Sequence, residues 1–241
     1  MSKKRLSVKP SVAQELAHPP VESLKEIYTR RFTEKDAADK DLIWREVGSF
    51  LQNYIPIPTD GEVLDIACDR GDFIRNVSAR GRWATDLRDV SVHLPADVHF
   101  VQANGIELNK VLPGSHFDVV FMSNYLEHLP TSEHVIAQLK VARDLVKPGG
   151  KVAVLQPNIR LIGGSYWDFI DHQVGLTDRS LVEAGELAGL SIYRVIRRFL
   201  PFTTKSRLPR HPLLVRSYLR FPLIWSVMGK QSLYVGTRLL D

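Results

Sequence analysis

Val63-Leu64-Asp65-Ile66-Ala67-Cys68-Asp69-Arg70-Gly71 sets an acid inside a short apolar run and follows it with small residues and a glycine. An apolar run of this length reads as a strand buried on both faces. The small residues after it predict a tight turn that lets backbone approach a ligand and opens into a helix, whose N-terminal amides would aim at that ligand. Working outward, six more β-branched runs appear at 82–87, 98–104, 117–123, 151–156, 190–197 and 232–238. Helical stretches lie between several of them. In 132–146, Val135, Leu139, Ala142 and Val146 line one face, and 177–188 is followed by Gly189, which can terminate it. This alternation predicts an α/β fold: a doubly wound, mostly parallel seven-stranded sheet with helices on both faces.

Before the sheet, Leu42, Ile43, Val47, Phe50 and Leu51 recur at helical spacing until Pro56 and Pro58 end the pattern. Residues 21–58 therefore read as an N-terminal helical extension, 59–241 as the main domain, and the polar segment 1–20 as a disordered tail. With 241 residues and 44% apolar content, the chain can bury one large core. No apolar run approaches the roughly 20 residues of a transmembrane helix, and Lys3, Lys4 and Arg5 precede no signal-peptide stretch, so a cytoplasmic location is expected. The single cysteine, Cys68, excludes a disulfide framework and a zinc site of several thiolates; no metal is expected.

The net charge of +5 is unevenly placed. Residues 191–241 hold ten Lys or Arg against one acid, whereas the first 190 hold 22 basic and 26 acidic residues. A basic insertion at about 199–230, interleaved with Phe199, Phe202, Tyr218 and Phe221, could meet an anionic surface, a phosphorylated substrate or nucleic acid, or form a solvated rim.

In doubly wound sheets ligands lie beyond the carboxyl ends of the strands. Asp86, 21 residues after Asp65, ends the second run, where a carboxylate can accept hydrogen bonds from both hydroxyls of a ribose. The third run ends at Asn104, which offers a donor and an acceptor to an adenine edge. The fourth reads Phe117-Asp118-Val119-Val120-Phe121-Met122-Ser123-Asn124-Tyr125-Leu126-Glu127-His128-Leu129, and Lys147-Pro148-Gly149-Gly150-Lys151 precedes the fifth.

Together, in this order and spacing, these segments resemble the small-molecule branch of the class I S-adenosylmethionine-dependent methyltransferases, in particular those of saccharide and natural-product pathways. The resemblance is strong over 60–158 and weaker to 241. It implies a Rossmann-like methyltransferase fold with S-adenosylmethionine as cofactor. On this resemblance Asp65, Ala67, Cys68 and Gly71 border the methionine part, Asp86 holds the ribose with Leu87 beside it, Asn104 and Ile106 flank the adenine, and Ser123 and Asn124 floor the site. Ala67 and Asp69 stand where the family has glycines. The fourth run also lacks the Asx-Pro-Pro-aromatic motif of methyltransferases acting on DNA bases or glutamine.

The expected reaction is O-methylation of a small-molecule or glycan-type acceptor. A hydroxyl acceptor needs a base, and His128, just past the fourth strand, is the first candidate, with His172 in reserve and Asp171 to orient or replace it. Gly163-Gly164 followed by Tyr166, Trp167 and Asp168 suits a polar ring, through stacking and hydrogen bonds. Tyr28, Arg30, Arg31 and Phe32 could form a lid over the cofactor. Three alternatives stand beside this reading: a catalytically idle relative that binds a partner through its basic region, an RNA methyltransferase, and a nicotinamide-dependent oxidoreductase. The last lacks its Gly-x-Gly-x-x-Gly signature at 67–72.

Overall fold

The structure, a computed structural model, describes residues 34–202 and 211–240, with side-chain surroundings from Lys40 onward. The expected tail at 1–20, the first part of the helical extension, the lid residues Tyr28, Arg30, Arg31 and Phe32, and the basic residues Arg207 and Arg210 lie outside the described residues.

All seven expected strands form: β1 (Glu62–Ile66), β2 (Gly81–Asp86), β3 (Val98–Gln102), β4 (Phe117–Ser123), β5 (Val146–Pro157), β6 (Leu190–Ile196) and β7 (Gln231–Arg238). They make one sheet in the order β3-β2-β1-β4-β5-β7-β6, with β7 antiparallel to both its neighbours and every other pairing parallel. Chain progress reverses between β1 and β4, so the switch point of the sheet lies where Asp65 pairs with Phe121 and Ile66 with Met122.

Side chains alternate across the sheet, and both sets are apolar. Val63, Val119, Phe121, Ala153, Leu155, Leu233 and Val235 share one core; Leu64, Ile66, Val120, Met122, Val152, Val154 and Tyr234 share the other. Helices α2 (Ser132–Leu145) and α4 (Asp178–Leu187) cover the second core, where Val135, Leu139, Ala142 and Leu145 of α2 meet Leu181 and Ala184 of α4. Between them in the chain lies the short α3 (Ile159–Ile162). A capping box starts α4, with Ser180 N–H donating to Thr177 Oγ1 at 3.0 Å and Thr177 N–H to Ser180 Oγ at 2.9 Å. Gly189, at φ 81°, ends it as expected.

The first core is covered differently from the expectation. Gly71 leads not into an α-helix but into a three-residue 3₁₀ turn, Ile74–Asn76, and the next two connections hold only the 3₁₀ segments Ser91–His93 and Gly105–Lys110. Helix α1 (Glu34–Tyr54) takes the space, burying Trp44, Val47 and Leu51. It seats so closely that a Cβ on Gly48 would lie 2.6 Å from the carbonyl oxygen of Asn76. The basic insertion between β6 and β7 contributes α5 (Pro212–Arg220) and α6 (Pro222–Met228). Trp225 packs edge-on against Phe50 and Phe199 at 5.8 and 5.3 Å, and Arg216 forms a two-pronged pair with Glu46 of α1 at 2.8 Å.

Candidate active site

The loop after β1 keeps an unusual backbone. Ala67, Asp69 and Gly71 all have positive φ, at 55°, 48° and 75°, so the left-handed conformation persists at alternate positions although only one is glycine. At Gly71 a side chain would be strained by the positive φ, and its Cβ would fall 2.3 Å from Leu94 Cδ2, so the Leu94 side chain would have to shift. Asp69 tolerates the conformation as a short polar residue, and it is anchored. Its N–H donates to Asp86 Oδ2 at 3.1 Å, and its carboxylate accepts from Arg88 Nη2 at 3.0 Å. Because a 3₁₀ turn follows, the anticipated helix N-terminus does not contribute here.

At the switch point lies a cavity of about 230 Å³. Asp65, Cys68, Asp69 and Asp72 wall one side; Ser123, Asn124, Glu127 and His128, past β4, wall another. Phe169 and His172 come from the loop after β5, and Leu200, Phe202 and Gln231 from around the basic insertion. Lys40, Ile43, Trp44 and Val47 of α1 close it, with Lys40 Nζ 2.6 Å from Asp72 Oδ2. Sequence reasoning missed these α1 residues and Asp72. Trp44 and Val47 lie on the apolar stripe of the helix, but nothing in the sequence says which cavity that stripe covers.

Electrostatically, the β1 side suits a cation. Burial, then Asp72 and more weakly Asp86 and Asp69, push the Asp65 carboxyl well above its ordinary range. Burial, then Asp65, Asp86 and Asp69, raise the Cys68 thiol, so it is a packed wall residue, not a nucleophile. A ligand carrying a sulfonium and an ammonium would relieve this crowding of carboxylates, and the donor set fits the methionine end of the implied cofactor.

The adenosine side is less open. Asp86 Oδ1 accepts from Arg88 N at 2.9 Å and Arg88 Nε at 3.1 Å, and Oδ2 from Arg88 Nη2 at 3.3 Å, so the carboxylate expected at the ribose is covered by a guanidinium. Asn104 Oδ1 accepts from Ile106 N at 3.3 Å, capping the 3₁₀ segment that follows. Of the ten residues expected to border the cofactor, Asp65, Cys68, Ser123 and Asn124 line the cavity; Ala67, Gly71, Asp86, Leu87, Asn104 and Ile106 do not. The volume falls short of the ~300 Å³ at which ligand pockets typically begin, as expected with the ribose end closed.

At the far end stand the acid–base candidates. His128 Nδ1 lies 2.9 Å from the backbone carbonyl oxygen of Asp171. A carbonyl only accepts, so Nδ1 carries the proton and Nε2 is left with its lone pair. The buried Asp171 carboxylate stands 3.5 Å from the same Nδ1. Asp171 thus contacts His128, the first candidate, through both its carbonyl and its carboxylate. His172 meets His128 edge-on at 5.1 Å, and its ring lies 4.7 Å from that of Tyr166. Glu127 is buried, and burial raises its carboxyl. Donor atoms of Glu127, His128 and His172 lie within 4.8 Å of one another, a set that could also hold a divalent cation.

The expected acceptor residues are placed otherwise. Tyr166 is 0% exposed and its hydroxyl donates to Val174 O at 2.6 Å, so it is a core residue. Trp167 and Asp168 point to solvent and do not line the cavity; Phe169 and His172 of the same loop do. The 3₁₀ turn Gly163–Asp168 sets this alternation, which composition alone does not reveal.

Comparison with known proteins matches the chain, over residues 38–195, to the family model described as "Methyltransferase domain". The "Probable methyltransferase ltbC" of Aspergillus luteorubrus is 26% identical over 106 residues, 44% of this chain but only 35% of that protein's length. Among solved structures, a SAM dependent methyltransferase from Archaeoglobus fulgidus is 19% identical with a TM-score of 0.54, covering 80% of this chain and 94% of that one. A "SAM-dependent methyltransferase, possible histamine N-methyltransferase" from Thermotoga maritima is 15% identical with a TM-score of 0.60, covering 90% and 97%. These structures share the fold; the family match spans well over half the chain and includes most of the residues that line the switch-point cavity. The chain belongs to the methyltransferase domain family.

Proposed function

We propose that the enzyme methylates a hydroxyl of a small-molecule or glycan-type acceptor, with His128 as general base and Asp171 orienting it. The carrying observation is the 2.9 Å contact of His128 Nδ1 with the Asp171 carbonyl, which leaves Nε2 basic beside the cavity. S-adenosylmethionine, when bound, supplies an electrophilic methyl on a cationic sulfur. Asp65, Asp69 and Asp72 would hold the positive methionine end, and Asp86 the ribose once Arg88 has moved aside. As the acceptor oxygen acquires the methyl group that the bound cofactor would supply, His128 Nε2 would take the hydroxyl proton. The Asp171 carboxylate, 3.5 Å from Nδ1, stabilises the imidazolium so formed. The basic C-terminal region would face an anionic surface or an anionic group of the acceptor.

The test is His128→Ala, followed as S-adenosylhomocysteine release with hydroxylated acceptors. Turnover should fall by about 10²- to 10⁴-fold while cofactor affinity holds, and added imidazole should restore part of the rate. A drop below about tenfold would move the role to His172.

A further inference from the structure

Helices α5 and α6 carry an apolar surface that the core does not use. Their inner side is satisfied: Leu219 and Trp225 are buried, and Val215 and Tyr218 pack partly on the same core. Yet the outer side exposes Leu213 at 62%, Phe221 at 58%, Leu223 at 86% and Val227 at 78%, with Leu214 and Ile224 beside them. Six large apolar side chains exposed within fifteen residues form a patch of the kind that marks an interaction surface. Pro222, one residue after α5 ends, starts α6, so the two short helices present their side chains around the Phe221 bend. Nine and seven residues long, neither approaches the length that crosses a bilayer.

Charge selects the occupant. Between 211 and 230 the chain holds Arg216, Arg220 and Lys230 and no acid. A second copy meeting this patch about a two-fold axis would set basic residues against basic residues. Anionic headgroups above an acyl layer complement both features at once. Position agrees: Phe202, which lines the cavity, lies 6.1 Å ring to ring from Phe169, and Phe169's loop exposes Trp167 and Ile170 beside the cavity mouth.

We propose that α5 and α6 dock this enzyme on an anionic lipid bilayer, their exposed apolar side chains entering the interface and Arg220 and Lys230 meeting headgroups. Docking sets the cavity mouth close to the headgroup layer. The proposal rests on the anion-facing reading of the basic region and is independent of the acceptor's chemistry.

The test is co-sedimentation of the full chain with vesicles of phosphatidylcholine alone and of equimolar phosphatidylcholine and phosphatidylglycerol. Wild type should sediment with the mixed vesicles, less so at high salt, and little with the neutral ones. Leu223→Asp with Val227→Asp should lower the partition by about tenfold or more. Melting temperature and cofactor affinity should stay unchanged, because both side chains face solvent. Arg220→Glu with Lys230→Glu should lower binding only to the mixed vesicles. Failure of wild type to bind mixed vesicles, or aspartate variants that bind like wild type, overturns the docking. Equal binding of wild type to both vesicles overturns the anionic reading and the proposal with it. A wild-type dimer that the aspartate variants dissociate, with no vesicle binding, assigns the patch to a second copy.

Discussion

Arg88 lies across Asp86, donating from its backbone N–H and Nε to Oδ1 at 2.9 and 3.1 Å and reaching Asp69 Oδ1 with Nη2 at 3.0 Å. If Asp86 holds the ribose as proposed, the sugar would have to displace this guanidinium, and part of the binding free energy would go into breaking the pair. Arg88→Ala should therefore bind S-adenosylmethionine several-fold tighter while melting lower, since Asp69 and Asp86 then face each other without the guanidinium that bridges them. Asp86→Ala should weaken binding by about 1.5 to 3 kcal/mol, the range for hydrogen bonds to a charged group. Calorimetric titration of both variants decides; weaker binding by Arg88→Ala would make Arg88 a cofactor ligand instead.

The raised Asp65 carboxyl gives a pH dependence of definite sign. Folding lifts it above the ~3.9 of an unfolded aspartate, so its stabilising contribution is complete below that value and is lost as pH rises through the raised folded value. At neutral pH, Asp65→Asn should melt higher than wild type without cofactor and lose part of the pH dependence. It should bind S-adenosylmethionine more weakly, because the positive end of the ligand favours the ionised acid. Thermal melts from pH 4 to 8 check the first claim; an asparagine variant that melts lower at every pH would contradict it.

At Ala67 two backbone effects compete. Holding an L-residue at φ 55° costs about 1 to 2 kcal/mol, while glycine loses about 0.4 to 1 kcal/mol through the entropy of the unfolded chain. Ala67→Gly should thus be neutral or slightly stabilising, an unusual outcome for a glycine beside a buried strand. Urea denaturation reads the sign directly. Destabilisation beyond about 1 kcal/mol would show that the Ala67 methyl matters to packing.

Tyr166→Phe separates a core role from an acceptor role. The lost hydroxyl leaves Val174 O without its 2.6 Å donor, so stability should fall by about 1 to 3 kcal/mol while KM for the acceptor stays the same. Unchanged stability with a raised KM would return Tyr166 to the substrate site.

How far the sequence reached can be judged from particular residues. The apolar runs predicted every strand, and β4 (Phe117–Ser123) to the residue, because a strand buried on both faces admits almost nothing polar. Gly71 was legible as the glycine of the tight turn after β1. The helix after it was not, since the exclusion of that helix depends on α1 seating Gly48 against Asn76, a contact between segments far apart in the chain.

At the site, the sequence by itself determined where polar residues must gather: at the strand ends, with Asp65 beside Ser123 and His128, because a parallel sheet leaves only its carboxyl edge for a ligand. Tertiary structure alone decided what each of them does. It put Arg88 over Asp86, set Asp171 against His128, buried Tyr166 and brought Lys40 and Trp44 to the cavity. These are contacts set by packing and charge between distant segments. Local periodicity fixes only which face a residue shares with its near neighbours, so the partner across the cavity is chosen when the whole core closes.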